Sequence, residues 1–175
     1  MITIIDYGVG NINAFYNIFK TLGVEVSIAR NYNDILDAKK LILPGVGHFD
    51  YAMNKFNESG MVESVTDLVM SKSVPVLGIC VGMQMLAKSS QEGTEPGLGW
   101  IDGRVYKFDS NLIPFKSRLP HMGWNTVDPK ENISLFNGIE SQARFYFLHS
   151  YYFDCEMDSQ VICVTHYGKT FASAV

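Results

Sequence analysis

The sequence has little of what marks several large classes of protein. Its 175 residues include three cysteines, Cys80, Cys155 and Cys163, without the spacing of a disulfide framework or a metal site. There is no long uncharged apolar run and no basic leader. A P-loop is also missing, and no GxGxxG follows the first predicted strand. We therefore expect reduced thiols, a soluble cytoplasmic protein, no metal and no cofactor.

The sequence also has no large excess of basic over acidic side chains, or of acidic over basic ones. The chain has 14 basic and 18 acidic residues, a formal net charge of -4. This balance gives no electrostatic footprint for nucleic acid or an anionic membrane, so neither partner is expected. The 47% hydrophobic content can fill one continuous core, and no repeat, low-complexity tract or linker interrupts the chain. Residues 1–175 are therefore predicted to form a single domain.

The first half of the chain alternates two hydrophobic periods. Short apolar runs rich in β-branched residues predict strands at 2–5, 24–28, 41–43 and 74–79. Three-to-four spacing predicts helices at 11–22, 49–56 and 61–70. This βαβα order predicts an α/β fold with an open, mostly parallel sheet and helices on both faces. The near-continuous apolar run at 75–79 indicates a buried strand.

The second half has a different pattern. Strands separated by turns are predicted at 100–108, 125–127, 144–153, 160–165 and 170–175. Some of these strands are expected to be antiparallel.

Cys80 is the candidate nucleophile. The predicted strand runs into Gly78-Ile79-Cys80-Val81-Gly82 and then a helix, the pattern of a nucleophile elbow. Flanking glycines remove side chains that would collide with neighbouring backbone. A cysteine at a helix start is also expected to have a lowered pKa. The alternative is a buried, small apolar cysteine, the interpretation kept for Cys155 and Cys163.

A second glycine-rich loop follows an earlier predicted strand. In Pro44-Gly45-Val46-Gly47, glycines on both sides of Val46 allow backbone N–H groups to point into a site. If this strand lies beside the Cys80 strand, both loops open at one edge of the sheet, where such sheets bind ligands. An oxyanion hole could form there, and the alternative is an ordinary turn.

Two of these segments carry a family resemblance. LPGVGHF (43–49) and LGICVGMQML (77–86) resemble the oxyanion loop and nucleophile elbow of class I glutamine amidotransferases, whose fold is flavodoxin-like. DYGVGNI (6–12) and LPHMGWN (119–125) are similar to the glutaminase subunits of imidazole glycerol phosphate synthases. The segments FYFLHSYY (145–152) and YGKTFASAV (167–175) follow the same order. The resemblance runs from the first residue to the last.

The resemblance implies roles for individual residues. Cys80 would form a glutamyl thioester with L-glutamine and release ammonia. Backbone donors for the oxyanion would come from the loop Val46-Gly47 and from Val81. Gln84 and Glu92 would hold the substrate, with Glu92 pairing with its α-ammonium, although Glu92 could instead be a solvated charge. The remaining glutamine-pocket residues implied are His149, Ser150 and Tyr151.

The resemblance also implies a partner, a cyclase or synthase subunit that receives the ammonia within a heterodimer. Five residues would lie on the face that meets it: Asn11, His121, Met122, Trp124 and Asn125. The alternative for Trp124 is a core aromatic residue. His48 and His166 match no functional position.

One departure from the family pattern affects the expected activity. The family's catalytic histidine and glutamate belong to a His-Pro-Glu segment after the strand that ends Ala-Ser-Ala-Val, and this chain ends at Val175. We therefore expect a domain that lacks its C-terminal strand and helix, with an unpaired sheet edge and poor glutaminase activity. Three alternatives stay open: a paralogous glutaminase for surface-sugar amidation, a non-catalytic regulatory partner, and a redox-sensing cysteine protein.

Overall fold

The computed structural model describes residues 1–115, 118–140 and 142–175. The chain divides into two compact units, Met1–Trp100 and Ile101–Val175. The prediction of a single domain stays a prediction. Each unit is described below by itself.

The first unit contains a parallel sheet with the strand order β2-β1-β3-β4. Its strands are β1 (Ile2–Ile5), β2 (Val26–Ala29), β3 (Leu41–Gly45) and β4 (Val76–Cys80), and a short strand β5 (Ser89–Ser90) follows. Its helices are α1 (Ile12–Thr21), α2 (Phe49–Glu58), α3 (Val62–Thr66), which continues as a π-helical turn (Asp67–Ser71), and α4 (Val81–Gln84); Tyr32–Asp34 forms a 3-10 helix. The predicted α/β order with a parallel sheet is confirmed.

The core of this unit follows from the apolar spacing in the sequence. Ile12, together with Phe15 and Phe19 of α1, packs on Ile4 of β1 and Ile42 of β3. Residues spaced by three and four along α2 are also buried, as its amphipathic pattern predicts; they are Phe49, Ala52, Met53 and Phe56.

The prediction of a buried strand at 75–79 is wrong for the described part of the chain. β4 pairs with β3 on one side and forms the edge of the described four-stranded sheet. Val76 is half-buried, and Leu77 is 40% exposed. An edge strand is covered less than a central one, so its apolar residues keep contact with solvent.

The strand pairs described within the second unit are antiparallel, whereas the sequence predicted antiparallel pairing for only some of its strands. Five of its strands lie in the order β6-β10-β12-β11-β8, and β7 pairs separately with β9. The strands are β6 (Gly103–Lys107), β7 (His121–Thr126), β8 (Asp128–Pro129), β9 (Arg144–His149), β10 (Tyr151–Cys155), β11 (Cys163–Tyr167) and β12 (Lys169–Ala174). Short 3-10 helices occur at Ser110–Leu112, Ser134–Phe136 and Asp158–Gln160. A hydrophobic core cluster of this unit is formed by Phe108, Ile113, Tyr167 and Phe171.

Two strand predictions in this unit differ from the structure. The run predicted as one strand at 144–153 is divided at Ser150 into β9 and β10. The strand predicted at 125–127 starts earlier, at His121. Gly123, in the middle of β7, lowers the β propensity that marks a strand in sequence.

Within the described ranges, no helix combines the length and apolar character that crossing a membrane requires.

Candidate active site

Cys80 occupies a sharp bend at the carboxyl end of β4. Its backbone angles are φ 57° and ψ -119°, a conformation that non-glycine residues rarely adopt. Such a conformation costs about 1–3 kcal/mol, and it persists only where the surrounding structure fixes it. Cys80 also caps α4 and is exposed. The predicted nucleophile elbow is present, and the alternative of a buried structural cysteine does not hold for Cys80.

Three glycines make the bend possible. A Cβ atom on Gly78 would lie 2.6 Å from the carbonyl oxygen of Gly82. One on Gly82 would strike the carbonyl oxygen of Leu43, and one on Gly45 would strike the backbone nitrogen of Gly82. These contacts are with backbone, which cannot move aside cheaply. The strand ends and the start of α4 therefore approach more closely than any side chain would allow.

The glycine-rich loop after β3 lies beside the elbow. Strands β3 and β4 are parallel neighbours, and their register places Gly45 opposite Cys80. The loops that follow the two strands therefore open at the same sheet edge, as expected from the sequence. Val46 is exposed, and Gly47 has a φ of +88°, which favours glycine.

Tyr7 anchors the start of this loop, a role that the sequence analysis did not find. Its buried hydroxyl donates a 2.6 Å hydrogen bond to the carbonyl oxygen of Pro44, and its ring lies 5.2 Å from that of Phe56. Burial, and to a lesser extent the nearby Cys80, raises the pKa of Tyr7. The hydroxyl therefore stays a donor. The signal in the sequence was a tyrosine two residues after the end of β1, at the sheet edge where the loops open.

The predicted lowering of the Cys80 pKa is wrong. Although Cys80 has solvent-accessible surface, the protein atoms around its thiol desolvate it and raise its pKa. The N–H of Val81 lowers the pKa by a smaller amount, and the negative charge of Glu92 makes the smallest contribution, which raises it. Helix α4 has four residues, so its dipole is weak. The thiol is therefore protonated at neutral pH and needs a base to become a nucleophile.

Glu92 is an ordered carboxylate. It lies half-buried in the turn after β5, and its Oε2 atom accepts a 2.9 Å hydrogen bond from the backbone N–H of Phe49. The alternative of a solvated charge does not hold. Gln84 is the last residue of α4 and is buried. Cys80, Gln84 and Glu92 thus all belong to the first unit.

The three predicted pocket residues of the second unit lie at the junction of β9 and β10. The Nδ1–H of His149 donates a 2.7 Å hydrogen bond to the carbonyl oxygen of Tyr151. The carbonyl oxygen of Ser150 accepts a 3.1 Å hydrogen bond from the N–H of Phe108. Both bonds fix the backbone of 149–151.

His149 also contacts His121. Because His149 donates through Nδ1, its Nε2 atom accepts from the Nδ1–H of His121, 3.0 Å away. The Nε2 atom of His121 then accepts from the amide nitrogen of Asn125 at 3.2 Å. The His121 ring stacks on Phe147 at 4.7 Å and on Tyr167 at 3.9 Å. Every ring nitrogen is used with both histidines neutral.

The partner-face prediction needs one correction. His121 is 3% exposed, because alternation along β7 turns it inward, and Asn125 is half-buried beside it. Met122 and Trp124 point outward and are 60% and 62% exposed. The alternative of Trp124 as a core residue is wrong. Asn11 is exposed and caps α1 by accepting from the N–H of Ala14.

The neutral histidine pair predicts a pH-dependent stability. Burial, and then His149, lowers the pKa of His121 from 6.5 to about 4. The unfolded chain therefore binds more protons below pH 6.5, and stability falls as the pH falls. We expect the free energy of unfolding to drop by about 2 kcal/mol between pH 7.5 and pH 5 from this group. Urea titrations at both pH values measure it.

A matched pair of variants isolates this effect. His121→Phe should make the drop smaller by about 2 kcal/mol, whereas replacing the exposed His166 by glutamine should leave it unchanged. An unaltered drop in His121→Phe would contradict the interpretation.

Comparisons with known proteins agree with this geometry. The family model "Glutamine amidotransferase class-I" matches residues 3–174. The imidazole glycerol phosphate synthase subunit HisH of Bdellovibrio bacteriovorus is 52% identical over 177 residues, covering 100% of this chain and 86% of that protein. The corresponding subunit of Leptospira interrogans is 49% identical over 175 residues, with the same coverage of 100% and 86%.

Solved structures share the fold at much lower identity. A crystal structure of a glutamine amidotransferase superposes with a TM-score of 0.70 at 19% identity, covering 96% of this chain and 85% of that chain. The structure of PurLQS from Thermotoga maritima gives a TM-score of 0.66 at 16% identity, covering 96% and 76%.

Proposed function

The chain belongs to the class I glutamine amidotransferase family, and on that premise we propose that it is the glutaminase subunit of an imidazole glycerol phosphate synthase. It would release ammonia from L-glutamine in the cytoplasm and pass it to a cyclase subunit, for histidine biosynthesis. The observation that carries this proposal is the strained Cys80 at the end of β4, with Gly45 of the glycine-rich loop opposite it. The names of the relatives support the choice of synthase.

In the proposed reaction the sulfur of Cys80 attacks the side-chain amide carbon of glutamine. The backbone N–H groups of Val46 and Val81, with Gly47 shaping the loop, would stabilise the oxyanion. One such donor contributes roughly 3–4 kcal/mol in other enzymes. Breakdown expels the amide nitrogen as ammonia and leaves a glutamyl thioester. Water then hydrolyses the thioester to glutamate and restores the thiol.

Proton transfer is a requirement of this reaction because the Cys80 thiol is protonated at neutral pH. A base must take the thiol proton, and the departing nitrogen must gain one to leave as ammonia. The family resemblance assigns both transfers to the histidine of a His-Pro-Glu segment, which residues 1–175 do not contain, so the expected activity is that of a native protein that supplies this histidine.

Substrate binding would use the carboxylate of Glu92 in the first unit. Glu92, already a fixed carboxylate, would accept from the α-ammonium of glutamine. On the family resemblance we also propose glutamine-binding roles for Gln84, the buried last residue of α4, and for the backbone of 149–151.

The synthase subunit would bind the exposed face of β7 and β9. Cross-strand register pairs Met122 with Leu148 and Trp124 with Tyr146, and all four side chains are exposed. The Trp124 and Tyr146 rings pack edge to face at 5.8 Å. Large exposed aromatic and apolar side chains of this kind mark protein interfaces.

The experiment that tests the function compares two nitrogen sources. The purified complex of this protein with its synthase subunit should form imidazole glycerol phosphate from glutamine and also from added ammonium. Cys80→Ala should stop the glutamine-dependent reaction and spare the ammonium-dependent one. Equal loss of both, or glutamine-dependent synthesis that persists without Cys80, would defeat the proposal.

The partner face gives a second testable prediction. Replacing Trp124 by alanine should weaken binding to the synthase subunit by about 2 kcal/mol, roughly 30-fold, because central interface tryptophans commonly dominate affinity. Isothermal titration calorimetry measures the change. The control is Tyr51→Ala, which removes an aromatic side chain exposed on α2. If Trp124→Ala bound the synthase subunit with the same affinity as Tyr51→Ala, the face of β7 and β9 would not be the interface.

A further inference from the structure

Two adjacent residues of α2 and one turn of the first unit exchange hydrogen bonds in both directions. The N–H of Phe49 donates to Glu92, at 2.9 Å. In return, the carboxylate of Asp50 accepts from the N–H of Thr94 at 2.9 Å and from the N–H of Glu95 at 3.0 Å. The helix start and the turn at 92–95 are thus locked together from both sides.

Asp50 is held more firmly than an ordinary acidic residue in a first helical turn. Such residues commonly interact with the helix dipole while facing solvent. Asp50 is half-buried, both of its oxygens accept from Thr94, and the Thr94 hydroxyl contacts it as well. Burial raises its pKa, but the hydrogen bonds from Thr94 and Glu95 outweigh this, so its pKa lies below the ordinary value. The acceptor is therefore ionised at neutral pH.

Gly93 shows how closely the turn approaches this carboxylate. A Cβ atom on Gly93 would collide with the Asp50 side chain. The close approach places the N–H groups of the next two residues within reach of Asp50. Glycine at 93 and aspartate at 50 therefore act as a pair.

The turn that Asp50 holds carries Glu92. One oxygen of Glu92, Oε2, accepts from Phe49. Within the described residues Oε1 is the oxygen left to accept from a ligand. Glu92 also lies near enough to Cys80 for its negative charge to raise the pKa of the thiol slightly. Any movement of the 92–95 turn would move the carboxylate relative to that thiol.

We infer that Asp50 is a positioning residue for glutamine, which acts by clamping the 92–95 turn so that Glu92 meets the substrate's α-ammonium. The inference rests on the proposed function and deepens it. Asp50 lies outside the set of residues that would touch the substrate. Its contribution passes through Glu92.

The variant Asp50→Asn tests the clamp, since asparagine keeps the size but loses the charge and one acceptor. We expect KM for glutamine to rise about 10-fold while kcat changes by less than about 3-fold, because substrate binding is disturbed and the elbow is not. Gly93→Ala should give the same signature by pushing on the Asp50 carboxylate. The control is Asp67→Asn, an exposed aspartate that pairs with Lys72, with unchanged KM expected. Steady-state kinetics of the complex provide both constants.

A double-mutant cycle separates positioning through Glu92 from a general structural role. Glu92→Ala alone should raise KM, and adding Asp50→Asn should raise it no further, since the clamp has nothing left to position. The inference would be overturned if KM of the double variant rose by the product of the two single-variant increases. It would also be overturned if kcat fell while KM stayed unchanged. If the parent complex fails to hydrolyse glutamine, or Glu92→Ala leaves KM unaltered, the proposed function itself fails. Thermal unfolding of each variant identifies any that does not fold.

Discussion

In the native protein, bound to its synthase subunit and carrying the family's catalytic histidine, Cys80→Ala is expected to reduce glutamine hydrolysis by on the order of 10⁴-fold or more. Removing the attacking atom of a covalent mechanism leaves only what binding and oxyanion stabilisation contribute. The strained backbone at Cys80 belongs to the elbow, so alanine at this position tests the sulfur itself. Release of glutamate, followed by a coupled assay, measures the loss.

Cys155→Ser provides the matched control. Cys155 ends β10, is half-buried and has its pKa raised to about 11 by burial, so it should be unreactive at neutral pH. We expect its activity to stay within about 2-fold of the parent. A comparable loss in both variants would indicate damage to the fold, and an active Cys80→Ala would exclude Cys80 as the nucleophile.

Gly82→Ala is expected to have the largest effect on stability. The added Cβ would enter the space of the Leu43 carbonyl oxygen in β3, and the atoms that it meets are all backbone, which cannot move aside cheaply. Overpacking of this kind should lower the free energy of unfolding by about 3 kcal/mol or more. It should also abolish glutaminase activity, because the oxyanion loop and the elbow must separate. Urea denaturation followed by fluorescence measures the stability.

The control for backbone strain is Gly60→Ala. Gly60 follows α2 with a φ of +69° and has open space around its Cα, so alanine there adds strain without a collision. The expected cost is about 1–2 kcal/mol, with activity kept. If Gly82→Ala were no more destabilising than this control, the close approach at the elbow would not matter.

The elbow and its oxyanion loop could be predicted from the sequence because their constraints are local. Gly78, Gly82 and Gly45 follow from the need for close backbone contact, and an apolar strand before each loop places them at one sheet edge. Parallel strands that are neighbours bring their carboxyl ends together whatever the surface residues are. Local pattern was therefore sufficient for the position of Cys80.

The pKa of Cys80 could not be predicted in the same way. Its direction is set by desolvation of the thiol, with a smaller raising contribution from Glu92, which lies 12 residues later. The helix-dipole argument assumed a long helix, whereas α4 ends at Gln84. Desolvation of the thiol by the surrounding protein atoms decided the result.

His121 shows a different limit of sequence reasoning. The family resemblance placed it on the partner face with Trp124, but strand alternation puts neighbours on opposite sides of β7. The strand was predicted only from Asn125 onward, so this alternation could not be applied to His121. The Asp50 clamp was equally hidden, since its partners are 44 and 45 residues away in sequence.

The most direct test of Cys80 as nucleophile is covalent trapping by a glutamine analogue. The native protein in complex with its synthase subunit is incubated with a glutamine-analogue alkylator, and intact mass followed by peptide mapping locates the adduct. The expected result is a single adduct on Cys80, slowed by added glutamine, with Cys155 and Cys163 unmodified. An unlabelled Cys80, or labelling that glutamine does not slow, would contradict it.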